Sequence, residues 1–403
     1  MSFIFHKQPW KGLYLLTEVV VTAFILTPYW ILRFSFKSSR PRASWTIRRC
    51  LMLKILQKIS PSGSLIRRVG QIRRIPDHHA IVEGPGVKGV WVDPVPELVI
   101  GQVQQWAENA KVECVRIPGY WIEKKGFDFS IGQPPLPGEK VLYGLHGGGY
   151  MSQSAHPTDP TSNVIRGILQ HTSINRCFNL EYRLTKRTET TLENPFPAAL
   201  LDALAGYNYL VNVVGFSPDD IVIEGDSAGA NLSLALVRYL VENQAAAGIP
   251  RPPGRMILNS PWGDVGESHN TGSNSTIVKN QHSDYLNFTK GSESRQVGLN
   301  FVGPLSWRAA ETNRYISPGS RSPLMEKLSF ARFPRTFITA GGAEVLLDSI
   351  RYLKDRMVED MGEQRVAYWE AGDSMHDFLI FVSAQEPERS QALERIATWL
   401  AEE

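Results

Sequence analysis

The sequence predicts an α/β fold, a largely parallel sheet covered by helices, with a membrane-embedded helical segment ahead of it. Three observations carry this. Short β-rich runs alternate with helix-length stretches from about residue 87 onward. A glycine-framed turn joins an apolar run to a helical pattern between residues 221 and 237. The first 75 residues differ from everything after them in charge and hydropathy. Composition is ordinary for a folded chain, 42% hydrophobic and 21% charged, which excludes disordered and collagen-like classes. A length of 403 residues is ample for one large core with appendages.

The N-terminal part is expected to hold the chain to a bilayer. Gly12–Leu32 reads GLYLLTEVVVTAFILTPYWIL, 21 residues with one charge, Glu18. About 20 apolar residues span the hydrocarbon as a helix, and Tyr29 and Trp30 suit its interface. Arg33, Lys37, Arg40 and Arg42 follow, rather than a small-residue cleavage site, so a retained single-pass anchor is expected over a cleaved leader. Ser44–Ile59 sets Trp45, Ile47, Leu51, Ile55 and Ile59 against Arg48, Arg49, Lys54 and Lys58. That spacing predicts a helix with a cationic face, lying on the membrane surface or packed on the folded body. Residues 1–75 contain fourteen Lys or Arg and one acid, leaving 29 basic and 39 acidic residues to the remainder. Its aliphatic and aromatic content matches this basic segment to a membrane and not to nucleic acid. Topology signals oppose one another: cations after the anchor favour a cytoplasmic body, whereas the sequons at Asn274 and Asn287 suit a lumenal one.

The expected organisation is therefore 1–75 as anchor and basic amphipathic segment, then 76–403 as the folded domain. Pro61–Ser64 is a plausible linker. Expected strands are Val87–Val92, Val112–Ile117, Lys140–Leu145, Asn175–Leu180, Ile221–Glu224, Arg255–Asn259, Thr336–Ala340 and Arg365–Glu370, with helices over Pro197–Val214 and Gly229–Ala247. Alternation of this kind argues a largely parallel sheet. Residues 264–330 are polar, rich in Gly, Ser and Asn, and read as a cap insertion. Cys50, Cys114 and Cys177 show no C-x-x-C spacing, so no zinc site is expected, and no cofactor is implied.

The chemistry is concentrated in four places. Gly225-Asp226-Ser227-Ala228-Gly229 follows Ile221-Val222-Ile223 and precedes a helical pattern. This is G-x-S-x-G in the strand–turn–helix setting that exposes a nucleophilic serine. His146-Gly147-Gly148-Gly149 follows another apolar run; such a loop turns backbone amides toward a tetrahedral intermediate, together with the amide after the nucleophile. Gly147, Gly148 and Ala228 are the expected donors. The base must follow the serine in the chain. His269 and His282 fall in the polar insertion, and His376 stands just after the last strand. For the acid, Glu344 follows the strand ending at Ala340, with Asp348 as rival.

These motifs resemble the hormone-sensitive-lipase-like branch of the α/β hydrolases, which carries H-G-G-G, then G-D-S-A-G, then H-[GD]-F. Tyr182-Arg183-Leu184 and Pro195-Phe196-Pro197-Ala198-Ala199-Leu200 are similar to further features of that branch. The resemblance covers roughly residues 85–403. It implies an α/β-hydrolase fold and a serine carboxylic ester hydrolase with Ser227, Glu344 and His376 as triad. The layout of anchor plus hydrolase is similar to arylacetamide deacetylases and fungal steryl acetyl hydrolases. It implies short-acyl esters of hydrophobic molecules as substrates and a place at the endoplasmic reticulum. Where the branch has Asp in D-x-L-x-D, this chain has Glu344-Val345-Leu346-Leu347-Asp348. An acyltransferase using the same acyl-enzyme, or a ligand-binding receptor on a hydrolase scaffold, would share these motifs.

Overall fold

Strands that are apolar at nearly every position need cover on both faces, and this fold supplies it. The computed structural model describes residues 7–59, 76–288 and 293–402. Eight strands form one sheet: β1 (Lys88–Val92), β2 (Ile117–Glu123), β3 (Val141–Leu145), β4 (Arg176–Leu180), β5 (Ile221–Asp226), β6 (Arg255–Asn259), β7 (Arg335–Gly341) and β8 (Val366–Ala371). Their order is β1-β2-β4-β3-β5-β6-β7-β8. β2 runs antiparallel to both β1 and β4, and the other neighbours are parallel.

Side chains alternate between the faces of a strand. Val141, Tyr143, Leu145, Ile221 and Ile223 therefore enter one core with the Ala198–Asn208 and Ala228–Asn243 helices. Leu142, Val222 and Ile257 enter the other with the Ser162–His171 and Glu388–Ala401 helices. The helix expected over Pro197–Val214 passes into a π-turn at Tyr209–Val214. In the 264–330 stretch the described residues form the short helices Thr276–Lys279, Glu293–Val302 and Ser306–Thr312.

One strand lies elsewhere than the sequence suggested. Val112–Ile117 is not a strand; the chain pairs from Ile117 to Glu123. Pro118-Gly119 reads locally as a turn signal, yet both residues sit in the ladder. Gly119 is required by packing, because a Cβ there would lie 2.2 Å from the Phe178 ring.

The N-terminal helix runs from Trp10 to Ser35, 26 residues, and is long and apolar enough to cross a membrane. Its π-turn at Thr22–Leu26 precedes Pro28, whose missing N–H and bulky ring an unbroken α-helix would not accommodate. Glu18, its lone acid, pairs with Lys58 at 2.7 Å and accepts from the Tyr14 hydroxyl at 2.6 Å. The amphipathic helix spans Ile47–Ile59 and packs on the folded body. Of the two placements expected for it, packing on the body is the one observed, and its cations divide: Arg49 is buried against Glu388 and Lys58 turns to Glu18, whereas Arg48 is exposed and donates to Ser383 and Lys54 donates to Gln57 on the same helix. Ile55 and Ile59 are exposed as well. Ile31, Leu51, Met52 and Ile55 line an apolar groove of about 520 Å³ between the two helices. The linker expected at Pro61–Ser64 lies outside the described residues.

Gly119→Ala should lower the unfolding free energy by about 1–3 kcal/mol through overpacking against Phe178. In a Phe178→Leu background the same change should cost less. Denaturant titration of the four chains checks both statements.

Candidate active site

Parallel strands bring their carboxyl ends to one edge, where open α/β sheets place their ligands. Four loops meet there. β3 leads into His146–Gly149, β5 into Ser227, β7 into Glu344 and β8 into His376.

Ser227 sits at φ 52° and ψ −114° between β5 and the Ala228–Asn243 helix. A non-glycine residue there is strained, and the turn closes only because its flanks lack side chains. A Cβ on Gly225 would lie 2.4 Å from the carbonyl of Gly229. One on Gly229 would lie 1.8 Å from the Leu145 oxygen. The turn is pinned further by Ser227 N donating to Asn259 O at 2.9 Å and Trp262 N donating to Ser227 O at 3.0 Å.

His376 Nε2 lies 2.9 Å from Ser227 Oγ. Its Nδ1 lies 2.7 Å from Glu344 Oε2. The other Glu344 oxygen accepts Gly341 N at 2.7 Å and the Ser260 hydroxyl at 3.3 Å. Both ends of the acid are thus held, and both residues are buried. The structure brings together the three residues expected from sequence. Asp348 is not among them: its carboxylate accepts Thr276 N at 2.8 Å. His269 bonds Gly319 O at 2.8 Å, and His282 is exposed.

Burial works against a charged imidazole, yet the carboxylates of Asp377 and Glu344 outweigh it, and the His376 pKa is raised well above 6.5. Asp377 was not anticipated. Its Oδ2 lies 3.1 Å from His376 Nε2, so that nitrogen faces the serine hydroxyl and a carboxylate together. The position directly after the histidine was the available clue.

Gly147 does not fit the role expected of it. Its amide donates to Asp226 Oδ1 at 3.0 Å, so it is committed and cannot serve an oxyanion. The second residue of G-D-S-A-G therefore fixes the glycine loop, a link the motif contained but spacing alone did not disclose. Burial, then the neighbouring Asp377 and Glu224, push the Asp226 carboxyl well above its ordinary value. Beyond Gly147 the loop turns over, with Gly148 at φ 106° and Gly149 at φ 64°. Among the described residues the amides of Gly148, Gly149 and Ala228 find no backbone acceptor outside regular elements. His146 stacks on Tyr182 at 4.3 Å, and burial holds its pKa down to about 4, so it shapes the loop as a neutral ring.

The Glu293–Val302 helix roofs this loop. Phe301 stacks on Tyr150 at 3.9 Å, and a Cβ at Gly149 would lie 3.4 Å from the Val297 side chain.

A strained serine bonded to a histidine that a buried acid holds, all on one sheet edge, defines the class: a serine ester hydrolase. The chain belongs to the α/β-hydrolase fold family, whose pattern matches residues 141–380. An esterase of Acinetobacter venetianus is 27% identical over 260 residues, 64% of this chain and 73% of its own length. The esterase LipU of Mycobacterium tuberculosis is 26% identical over 264 residues, 65% and 77% of the two chains. An acetyl-hydrolase of Streptomyces hygroscopicus is 35% identical over 137 residues, 33% of this chain and 40% of that one. A hormone-sensitive lipase from a metagenome library shares the fold with a TM-score of 0.56 at 22% identity, over 87% of this chain and 96% of its own.

The imidazole must be neutral to take a proton, so kcat/KM should fall on the acid side as His376 protonates, at a pH above the ordinary imidazole value. Glu344→Gln and Asp377→Asn each remove an anion that favours the imidazolium. Each should move that acid limb to lower pH. Rate profiles against pH for the three proteins test this, and limbs that coincide would contradict the electrostatic account.

Proposed function

We propose that the protein hydrolyses short-acyl, acetyl-type carboxylic esters of hydrophobic molecules through an acyl-enzyme on Ser227. The observation that carries this is the continuous hydrogen-bonded chain from Ser227 through His376 to Glu344. His376 takes the hydroxyl proton as Ser227 attacks the ester carbonyl, and Glu344 orients the ring and stabilises its charged form. The amides of Gly148, Gly149 and Ala228 receive the oxyanion. His376 then gives its proton to the leaving alcohol, and water repeats the sequence on the acyl-enzyme.

Two observations support a short acyl group. Val297 and the Phe301–Tyr150 stack close the space over the glycine loop, and the Streptomyces relative is named for acetyl hydrolysis. Residues 264–330 act as the cap in this reading, and 76–403 as the catalytic domain. The apolar Trp10–Ser35 helix supports a single-pass anchor and a hydrophobic substrate drawn from the membrane. The resemblance of this layout to that of arylacetamide deacetylases is what speaks for the endoplasmic reticulum as that membrane.

Detergent-solubilised protein should turn over p-nitrophenyl acetate and butyrate faster than the dodecanoate. Ser227→Ala should lower kcat by at least about 10³-fold. Turnover that survives the substitution, or a preference for the longest chain, would overturn the mechanism or the acyl-length assignment respectively.

A further inference from the structure

The segment that leaves the membrane helix reaches both loops that carry the acid and the base. On the acid loop, Gly342 O accepts the Arg42 guanidinium at 3.1 Å. Arg42 also donates to Asn280 Oδ1 at 2.7 Å, and the Asn280 amide donates to Glu344 O at 2.8 Å. Farther along, Gln57 donates to Asp284 O at 2.9 Å, and the Asp284 carboxylate accepts Val345 N at 2.8 Å. On the histidine loop, Asp373 O accepts the Trp45 indole N–H at 2.7 Å and Arg49 at 3.3 Å. The Asp373 carboxylate accepts the Ser44 hydroxyl. Arg49 continues to Ala384 O at 3.0 Å, Glu386 O at 3.1 Å and the Glu388 carboxylate at 2.7 Å.

Apolar contacts follow the same course. Ala343 and Met375 each stand one residue before a triad member. Both are buried in one cluster with Trp30 and Phe34 of the membrane helix and with Trp45, Cys50 and Leu53. The two loops also meet directly, through Gly342 N to Ala371 O at 2.7 Å and Ala343 N to Ser374 O at 2.9 Å. These bonds set their inner sides, and the N-terminal segment braces their outer sides.

We infer that Arg42, Trp45 and Arg49 are positioning residues for the reaction, tying the membrane-proximal segment to the acid and histidine loops so that the Glu344–His376 contact is held at its working length. The inference rests on the triad reading above. The physical reason is tolerance: a catalytic constellation must be held to within about 0.5 Å, and an error near 1 Å can cost about 100-fold in rate. The contact spans two separate loops, so a brace bonded to both controls it. None of the three residues touches substrate or the reacting atoms.

The test uses the full chain in detergent, as parent, Ser227→Ala, Arg42→Gln, Arg49→Gln and Trp45→Phe. Reactive sites are counted with a fluorophosphonate so that kcat refers to competent molecules. Arg42→Gln and Arg49→Gln should lower kcat about tenfold with KM nearly unchanged, and should move the acid limb of kcat/KM to lower pH, because a slackened Glu344 contact favours the imidazolium less. The other groups facing His376, namely Asp377, Asp226, Asp284 and Tyr285, are the same in every variant. Trp45→Phe keeps the ring in its cluster and loses one donor. It should shift kcat and pH midpoint in the same direction by less, and it carries the test should either arginine variant fail to fold. Parental kcat in the variants, or a fall in kcat with an unmoved midpoint, overturns the positioning role. Ser227→Ala retaining full activity overturns the triad reading instead, and this inference with it.

Discussion

The turn at Ser227 is the constraint on which the site depends. Its backbone occupies a region that L-residues rarely adopt, at φ 52°, and it persists because surrounding structure over-determines it. Gly229 approaches the carbonyl of Leu145 so closely that no Cβ fits. That approach presses the helix after the nucleophile against the end of β3. The serine and the glycine loop therefore share one contact surface. Asp226 reinforces it by accepting the Gly147 amide. Ser227 and the glycine loop are thereby positioned by a single piece of architecture.

Titratable carboxyls are concentrated on the other side of that architecture. Glu224, Asp226, Asp284, Glu344 and Asp377 are all buried around or beside one imidazole. Burial pushes the Glu224 carboxyl up, and the Asp284 carboxyl up to about 7, so both give up their protons less readily than a surface acid does. Glu344 and Asp377 touch the ring itself. The result is a site in which the imidazolium is strongly favoured, as the acid–base cycle requires once Ser227 gives up its proton.

The apolar Trp10–Ser35 helix is joined to this site more closely than a flexible tether would be. Its final turns share an apolar cluster with the residues preceding Glu344 and His376, and Glu18 is neutralised by Lys58 on the neighbouring helix. The exposed apolar groove between the two helices lies beside the same cluster.

The sequence alone determined what local chemistry and periodicity can carry. Glycines flanking Ser227 admit few other readings once a strand precedes and a helix follows. The apolar runs of β3, β5, β6 and β7 were legible because burial on both faces leaves a continuous hydrophobic signature. His376 and Glu344 were legible from their places after predicted strands. Tertiary structure decided the rest, because the decisive partners are remote in the chain. Gly119 is a strand residue because Val90 and Leu180 pair with it on either side, which Pro118 and Gly119 cannot announce by themselves. Gly147 is withheld from the oxyanion by Asp226, 79 residues away. Arg49 and Lys58 turn to the protein because Glu388 and Glu18 receive them, whereas composition could only place the cations on one side of a helix. Local propensity fixes which elements form, but the assignment of each hydrogen-bond donor waits until the fold brings its acceptor within reach.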